Sequence, residues 1–270
     1  MVRRLLEGPW GEQPSDSDTP YLLGVAHFLL YNPDQSLAWF ERCLANETQS
    51  GDSPQRLDCL YWSGRAGAMK AAFAWYYRES ILEGLVKSRR AIGAALDRYE
   101  HVLSKAPDHV GAMLSQAEYY MAAPYLPPLA YGDVVTARAL VARALALEVD
   151  NPRAQYLQAR LDLYANNRRD QARAGYARVR HLLERGIGGL EIVLLQRWVD
   201  FAQAEVAFLD QDYPAAIAYA DAYIRQVPDG ADGYALKGAS LKFLGQEADG
   251  EAQIKKAREF NPRVRRYREP

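Results

Sequence analysis

Apolar residues recur at three- and four-residue spacing along most of this chain. The pattern is clearest in TARALVARALALE (136–148), AQYLQARLDLYA (154–165) and PAAIAYADAYIRQ (214–226). This spacing puts the apolar residues on one face of a helix. No run of about four to eight residues alternates apolar and polar positions with β-branched enrichment, which predicts essentially no sheet. The pattern therefore predicts an all-α protein.

Prolines interrupt the helical pattern at intervals, within YNPD, KAPDH, VDNPR, QVPDG and FNPR. Proline ends a helix because it lacks the N–H donor and crowds the preceding turn, and a new helix starts after each of these sites. Pro228 and Pro262 lie 34 residues apart, and the segments before them superpose. The chain is therefore expected to contain an internal repeat.

A short phrase recurs in the second helix of the repeat. A small residue is followed by a matching residue four positions later and by another seven positions later. In three of the four copies, a proline lies twelve positions after the small residue. The copies are Ala95-Tyr99-Val102-Pro107, Ala172-Tyr176-Val179, Ala216-Ala220-Tyr223-Pro228 and Gly250-Ile254-Ala257-Pro262. The preceding helices agree in part, through Tyr156-Ala159-Leu163 and Tyr234-Gly238-Leu241.

This helical-hairpin period resembles the tetratricopeptide repeat (TPR) family, from about Thr19 to Pro262. The resemblance implies a right-handed α-solenoid of about six hairpins, with small residues where helices cross closely. Two segments, 56–80 and 83–106, are longer than a standard repeat helix, so we expect an irregular first half. We assign 1–17 to a flexible N-terminal segment, 18–262 to the superhelical domain and 263–270 to a basic C-terminal tail.

The stretch YYMAAPYLPPLAYGD (119–133) holds three prolines and four tyrosines. Pro124 is expected to end one helix, and Gly132-Asp133 to start the next. The intervening turn of about nine residues is long enough, at ~3.3 Å per residue, to fold over a groove. We expect it to cap the groove, since tyrosine offers both apolar area and a hydroxyl. Its tyrosines are Tyr119, Tyr120, Tyr125 and Tyr131.

The TPR resemblance implies a concave groove lined by the first helix of each hairpin. The corresponding residues are mainly aromatic and aliphatic, and the lysine and asparagine clamp that one TPR subclass uses for a carboxylate is not visible. Such a surface is unusual on a monomer, so a protein segment, a hydrophobic ligand, a second copy or the chain's own loops should cover it. The alternative is that these residues pack a closed superhelix. The residues are Tyr21, Val25, Phe28, Leu114, Glu118, Leu157, Leu161, Tyr164, Trp198, Phe201, Glu205, Phe208 and Phe243.

The proline-rich insertion followed by YGDVVTARALVARAL is also similar to the TatT family, the TPR-type component of TRAP transporters. That resemblance implies a periplasmic lipoprotein that oligomerises and partners a solute-binding protein. No lipobox cysteine lies near residue 1, which departs from the family pattern.

Composition and charge narrow the class of protein. Apolar residues make up 49% of the chain and charged residues 25%, as in soluble globular proteins. The net charge of −1 hides acid-rich regions at 1–60 and 200–251 and basic regions at 153–197 and in the tail. Such unevenness favours steering or self-association and is not a nucleic-acid footprint. We interpret the arginines of 166–185 mainly as a solvated face and expect no nucleic-acid partner.

The two cysteines, Cys43 and Cys59, form no CxxC motif, so neither a disulfide framework nor a zinc site is indicated. No segment approaches the ~20 apolar residues that span a bilayer, so no membrane span is expected. The N-terminal segment has two arginines but no apolar core of a signal peptide. We expect a cytoplasmic protein, or a periplasmic one if a leader has been removed.

The sequence contains no recognisable catalytic constellation. The motifs HExxH, GxxxxGK[ST] and GxSxG are absent, and GIGGLE (186–191) is interpreted as a loop. Glu118 and Glu205 are interpreted as surface or helix-pair residues rather than a catalytic pair. We predict a non-catalytic binding scaffold without cofactor or metal; the alternatives are a TatT-like transport accessory, a self-assembling structural protein and, last, an enzyme that uses the tyrosine-rich turn. The histidines, His27, His101, His109 and His181, are isolated in the sequence.

Overall fold

The computed structural model describes residues 18–45, 53–76, 80–122, 132–264 and 267. Within these ranges the chain forms twelve α-helices and no strand, so the predicted all-α class is confirmed. The helices are α1 (Asp18–Leu29), α2 (Pro33–Ala45), α3 (Pro54–Tyr76), α4 (Ile81–Lys105), α5 (Val110–Ala122), α6 (Val134–Leu147), α7 (Pro152–Tyr164), α8 (Arg169–Glu184), α9 (Ile192–Leu209), α10 (Tyr213–Gln226), α11 (Ala231–Phe243) and α12 (Glu247–Phe260).

Local capping explains where several helices begin. The Asp133 side chain accepts hydrogen bonds from the backbone N–H groups of Val135 at 2.9 Å and Thr136 at 3.1 Å. Asn151 accepts from the N–H of Ala154 at 2.9 Å, and the proline after Asn151 occupies the first helical position. These caps satisfy N–H groups that have no partner inside the helix.

The chain divides into two compact units, Met1–Glu148 and Val149–Pro270. In the first unit, α1 packs on α2, α3 on α4 and α5 on α6. The helices α3 and α4 are 23 and 25 residues long, which confirms the expected elongation. Ala95, Tyr99 and Val102, from the recurring phrase, are at most 2% exposed. The phrase therefore marks the helix-packing face of α4.

Cys43 and Cys59 form a disulfide between α2 and α3, with a Cα–Cα distance of 6.4 Å. Both residues are buried. The sequence-based interpretation that no disulfide is indicated was therefore wrong. The two cysteines are 16 positions apart, and only the packing of α2 against α3 brings them within bonding range.

The second unit has the same organisation: α7 packs on α8, α9 on α10 and α11 on α12. Each phrase again lies on the second helix of its pair, and Ala172, Tyr176 and Val179 are fully buried in α8. A β-carbon built on Gly238 would lie 2.7 Å from the carbonyl oxygen of Gly250, so α11 and α12 cross at backbone contact. The described helices thus form six pairs, three in each unit, as predicted.

Two core clusters of the second unit involve residues beyond the last helix. The larger one joins buried residues of α9, α10 and α11, and Tyr267 packs against it. The smaller one contains Tyr234, Ala235 and Ala257, and Val264 and Tyr267 pack against it. The start of the predicted basic tail therefore contributes to the packing of this unit.

The proline- and tyrosine-rich turn falls largely outside the described residues. Helix α5 ends at Ala122 and carries Tyr119 and Tyr120, whereas α6 begins at Val134. Tyr125, Tyr131 and the predicted capping role lie in the part of the chain that the structure does not describe. The GIGGLE segment forms a turn and the short 3₁₀ helix Gly189–Glu191, in agreement with its interpretation as a loop.

Candidate partner-binding surface

The predicted groove residues all lie on the first helix of a pair, but their exposure differs. Five of those named as partner-binding are at most 4% exposed: Phe28, Leu114, Leu157, Leu161 and Phe208. Six keep accessible surface: Tyr21, Glu118, Tyr164, Trp198, Phe201 and Glu205. Of the other two residues considered, Val25 is buried and Phe243 is 36% exposed. Only the accessible residues can meet a partner without rearrangement.

In the first unit, Phe28 belongs to a buried aromatic cage. Its ring lies 5.3 Å from the Trp62 ring, and the Arg65 guanidinium lies 4.7 Å from the Phe28 centroid and 4.8 Å from that of Trp62. Arg65 is only 5% exposed. Aromatic faces stabilise a cation in such a place, so this cluster holds α1 against α3.

The remaining candidates of the first unit are dispersed. Tyr21 meets Phe40 of α2 edge-on, with ring centroids 6.4 Å apart. Tyr119 and Tyr120 contact each other at 5.3 Å at the end of α5. Glu118 precedes them on the same helix and is half-buried. The described ring contacts of Tyr21, Tyr119 and Tyr120 are thus with α2 or within α5.

In the second unit, the first helices α7, α9 and α11 contribute a connected row of side chains. Phe201, Glu205 and Phe208 lie at positions i, i+4 and i+7 of α9 and therefore share one face. Tyr164 of α7 donates a hydrogen bond to Glu205, and Phe243 of α11 lies 5.8 Å from Phe208. We call these five residues the aromatic surface.

Further aromatic residues extend the contacts around Phe208. Tyr213 stacks on Phe243 with centroids 5.2 Å apart, and it meets Phe208 edge-on at 5.8 Å. Tyr267 meets Phe208 edge-on at 5.4 Å. Phe208 is thus enclosed by three other aromatic rings, which accounts for its burial. Edge-to-face and offset arrangements of this kind are favourable.

Glu205 is the polar centre of the aromatic surface. Tyr164 donates to its Oε2, and the hydroxyl of Tyr267 lies 3.5 Å from its Oε1. Burial of the phenol, followed by the Glu205 charge, raises the pKa of Tyr164 well above its ordinary value. The Tyr164 hydroxyl therefore stays a hydrogen-bond donor at every physiological pH.

Arg160 lies one turn from Tyr164 on α7. Its guanidinium is 5.9 Å from the Tyr156 ring centroid and 5.8 Å from that of Tyr164. Burial opposes its charge, but the surrounding tyrosine hydroxyls and Glu205 hold the pKa of Arg160 above its ordinary value. Arg160 therefore stays charged beside the rings of Tyr156 and Tyr164.

Tyr156 and Tyr176 lie behind this centre. Their rings are 5.7 Å apart, and Tyr156 also contacts Trp198 at 5.7 Å. The Tyr176 hydroxyl is buried without a hydrogen-bond partner among the described residues. Burial raises the pKa of this hydroxyl, which keeps it neutral. The favourable packing of the Tyr176 ring thus outweighs the free-energy cost of burying its hydroxyl without a partner among the described residues.

The arginines of α8 are paired with acids of neighbouring elements. Arg180 donates to Asp200 of α9 at 2.8 Å, and Asp200 also accepts from Gln226 at 2.5 Å. Arg178 pairs with Asp150 at 3.1 Å, and Arg173 pairs with Asp210. These arginine side chains are partly exposed, as expected of a solvated face. Their ion pairs also stabilise contacts between neighbouring elements.

Sequence reasoning missed three residues of this region. Arg160 follows Tyr156 and precedes Tyr164 at four-residue spacing, a signal that places all three on one helix face. Tyr213 begins α10 and was not considered because the groove assignment covered only first helices. Tyr267 lies in a segment classed as a basic tail, and no local pattern indicates its contact with α9.

The described residues contain no group of three or more histidines, cysteines, aspartates or glutamates that could hold a metal ion. His109 lies near Asp58, with 3.4 Å between Nε2 and Oδ1, and its ring contacts Tyr61 at 4.9 Å. Its Nδ1 accepts the N–H of Ala112 at 3.0 Å, which makes it a cap for the start of α5. These contacts of His109 are structural ones.

Burial lowers the pKa of His27 below the ordinary value of a histidine.

Among the described residues, no helix has the length and apolar character needed to cross a membrane.

Glu118 and Glu205, the two carboxylates considered together in the sequence, belong to different units. Glu205 instead interacts with tyrosine hydroxyls.

No protein-family model and no curated protein sequence matches the chain. A thermophilic TPR protein of Thermus thermophilus is similar in structure, with 18% identity, coverage of 85% of this chain and 99% of that chain, and a TM-score of 0.57. PilW, a type IV pilus biogenesis factor, gives 16% identity, 73% and 78% coverage and a TM-score of 0.49. A tetratricopeptide repeat protein from Parabacteroides merdae gives 12% identity, 91% and 80% coverage and a TM-score of 0.48.

The first of these similarities carries the conclusion about fold. The TatT resemblance gains no support from the comparisons. The repeated phrase lies on the second helix of each pair, and the small residues Gly238 and Gly250 lie where two helices cross, as in a TPR hairpin. The chain therefore has the all-α, helical-hairpin repeat fold of TPR proteins.

Proposed function

We propose that this protein is a non-catalytic scaffold whose aromatic surface binds a segment of a protein partner. One observation carries the proposal: aromatic side chains on successive first helices keep accessible area, and two of them, Tyr164 and Phe243, contact Glu205 and Phe208 of α9. Tyr164 is 38% exposed and Phe243 is 36% exposed, whereas Phe201 is partly buried against the core cluster. A fold of this type uses such repeated surfaces to bind extended partners.

The chemistry of the surface favours a protein segment over a small apolar ligand. Large aromatic side chains are enriched in the centre of protein interfaces. Burial of apolar area would supply about 25 cal/mol per Å² before the costs of association. A hydrophobic ligand is the second candidate, and the ring contacts around Phe243 support it.

We infer that the protein works in an oxidising compartment. The buried Cys43–Cys59 disulfide supports this, because such bonds persist outside the cytosol and are rare inside it. Of the two compartments expected from the sequence, the periplasm fits this bond better. The test is cell fractionation of the native host with an antibody to the protein; recovery in the cytosolic fraction alone would contradict the inference.

Replacing Phe243 with aspartate tests the proposed function. Phe260 of α12 is a matched control, because it is 37% exposed, belongs to the same unit and lies on a second helix. Phe243→Asp places a charge on the aromatic surface and should reduce recovery of cross-linked partners from native extracts by about tenfold or more, an effect of ~1.4 kcal/mol. Phe260→Asp should leave recovery unchanged.

Circular dichroism of both variants confirms that the helices persist. Equal partner recovery by the two folded variants would contradict the proposal. If neither variant nor the unchanged protein recovers a partner, native mass spectrometry of the gently purified protein tests the apolar ligand. If the protein carries a bound lipid-like mass and Phe243→Asp abolishes that binding, the aromatic surface binds this ligand rather than a protein partner.

A further inference from the structure

The end of the chain already lies on the aromatic surface. After α12 the chain turns back, and Val264 packs against the cluster of Tyr234, Ala235 and Ala257. Tyr267 then packs against the cluster formed by α9, α10 and α11. Two described residues beyond the last helix, Val264 and Tyr267, therefore contact helices that precede α12.

The contacts of Tyr267 match those expected of a bound aromatic residue. Its ring meets the edge of Phe208 with centroids 5.4 Å apart and planes at 69°. Its hydroxyl lies 3.5 Å from Oε1 of Glu205. Phe208 is 2% exposed under this ring, although it lies on the same helix face as the accessible residues Phe201 and Glu205.

The described contacts of Tyr267 are a ring contact and a hydroxyl contact. The tail also carries four arginines between positions 263 and 268, and their attraction to acidic residues is the alternative that the experiment must separate. Tyr164 also occupies the second carboxylate oxygen of Glu205 as a hydrogen-bond donor. The ring against Phe208 and the hydroxyl at Glu205 therefore define what the surface accepts.

We propose that Tyr267 is an intramolecular occupant of the partner-binding site, and that the partner is an extended protein segment presenting a tyrosine in its place. This inference rests on the proposed function and deepens it by naming the chemistry of the partner. The partner's tyrosine ring would take the place against Phe208, and its hydroxyl would donate to Glu205. Binding of the partner thus requires displacement of Tyr267. The apparent affinity equals the intrinsic affinity multiplied by the fraction of molecules whose site is open.

The test uses the complete chain and a fluorescein-labelled peptide with the sequence NPRVRRYREP, which is that of residues 261–270. Fluorescence anisotropy should show that Tyr267→Ala binds this peptide about tenfold or more tightly than the unchanged protein, because the site is no longer occupied. Tyr267→Phe is the matched variant; it keeps the ring and loses only the hydroxyl, so it should bind the peptide more weakly than Tyr267→Ala and at most several-fold more tightly than the unchanged protein.

Two controls identify the contacts. A peptide with alanine in place of its tyrosine should not bind the Tyr267→Ala protein. The double variant Tyr267→Ala, Glu205→Gln should bind the tyrosine peptide several-fold more weakly than Tyr267→Ala alone. The ratio of the affinities of the tyrosine and alanine peptides should change little between low and physiological salt, because the recognised group is uncharged. A steep salt dependence with equal binding of the alanine peptide would show simple attraction of arginines and would overturn the proposal.

Other results also decide the question. If Tyr267→Ala is less stable and gains no peptide binding, Tyr267 is a structural cap and the proposal fails, while loss of partner by Phe243→Asp would leave the proposed function standing. A doubled mass in light scattering that disappears in Tyr267→Ala would assign the site to a second copy of the chain and overturn the partner assignment.

A further experiment applies if Tyr267→Ala loses its helical signal. The peptide, with benzoylphenylalanine at the tyrosine position, is irradiated with the unchanged protein. Cross-links should map to α9 and α11 near Phe208, and unlabelled peptide in excess should suppress them. Cross-links confined to other helices would refute the proposed position of the tyrosine.

Discussion

Single residues decide how closely the helices of a pair approach. At the crossing of α11 and α12, a β-carbon on Gly238 would lie 2.7 Å from the Gly250 carbonyl oxygen and 2.7 Å from a side-chain carbon of Ile254. The backbone oxygen cannot move away cheaply, so the absence of a side chain is a packing requirement at this position. By contrast, a β-carbon on Gly93 of α4 would meet nothing within 4 Å.

Gly238→Ala should therefore destabilise the protein by roughly 1–3 kcal/mol through overpacking. Gly93→Ala is the matched control and should raise stability by up to ~1 kcal/mol, because alanine favours the helix. Chemical denaturation followed by circular dichroism measures both. Equal midpoints for the two variants would show that α11 and α12 do not cross at backbone contact.

At the scale of elements, α2 and α3 are joined both by packing and by a covalent bond. The disulfide links residues 16 positions apart, across the connection between the two helices. In the chain-entropy account, closing a loop of about 15 residues stabilises a fold by ~3 kcal/mol, since it restricts the unfolded chain. The buried position of both sulfurs also limits access by reductants.

Replacement of Cys43 and Cys59 by serine should lower the free energy of unfolding by about 2–4 kcal/mol. The unchanged protein, purified without reductant and then unfolded, should show no thiol that reacts with Ellman's reagent. Mild reduction of the folded protein should leave the bond intact. Two reactive thiols in protein exported to an oxidising compartment would contradict the assigned bond.

The helices α8 and α9 show how charges serve packing between pairs. Arg180 of α8 reaches Asp200 of α9, which is 7% exposed and also bound by Gln226 of α10. A buried carboxylate with two partners is satisfied, whereas one without partners would be costly. The basic composition of α8 thus reflects contacts of the fold rather than a surface for anions.

For the whole molecule, the charge distribution bears on the class of partner. The chain has 33 basic and 34 acidic residues, and the arginines of α8 that form ion pairs have acidic partners within the same unit. Nucleic-acid binding without sequence preference requires cations that are free to neutralise phosphates, accompanied by aromatic side chains for stacking. Arg160 lies beside the Tyr156 and Tyr164 rings, which leaves less of its charge open to a phosphate.

Fluorescence anisotropy with labelled single-stranded DNA and RNA should accordingly detect no binding at micromolar protein concentration near ~150 mM salt. The Arg180→Ala variant is a useful comparison, since it removes one of the two partners of Asp200 and should reduce stability without changing this result. Affinity that falls steeply with added salt would contradict the expectation and indicate a basic surface outside the described ion pairs.

The sequence by itself determined the helical class, the pairing of consecutive helices and most helix boundaries. These features depend on local signals: three- and four-residue spacing, prolines, and capping residues such as Asp133 and Asn151. It also placed the groove candidates on first helices, because the 34-residue period sets the register of each pair.

Only the tertiary structure decided which of those candidates keep accessible surface. Phe28 is buried by Trp62 and Phe208 by Tyr267, and each pair is distant in sequence, so no periodicity in either helix reveals the contact. The Cys43–Cys59 bond has the same origin. Burial and bonding at these positions depend on which remote segment packs there, and that is a property of the folded chain.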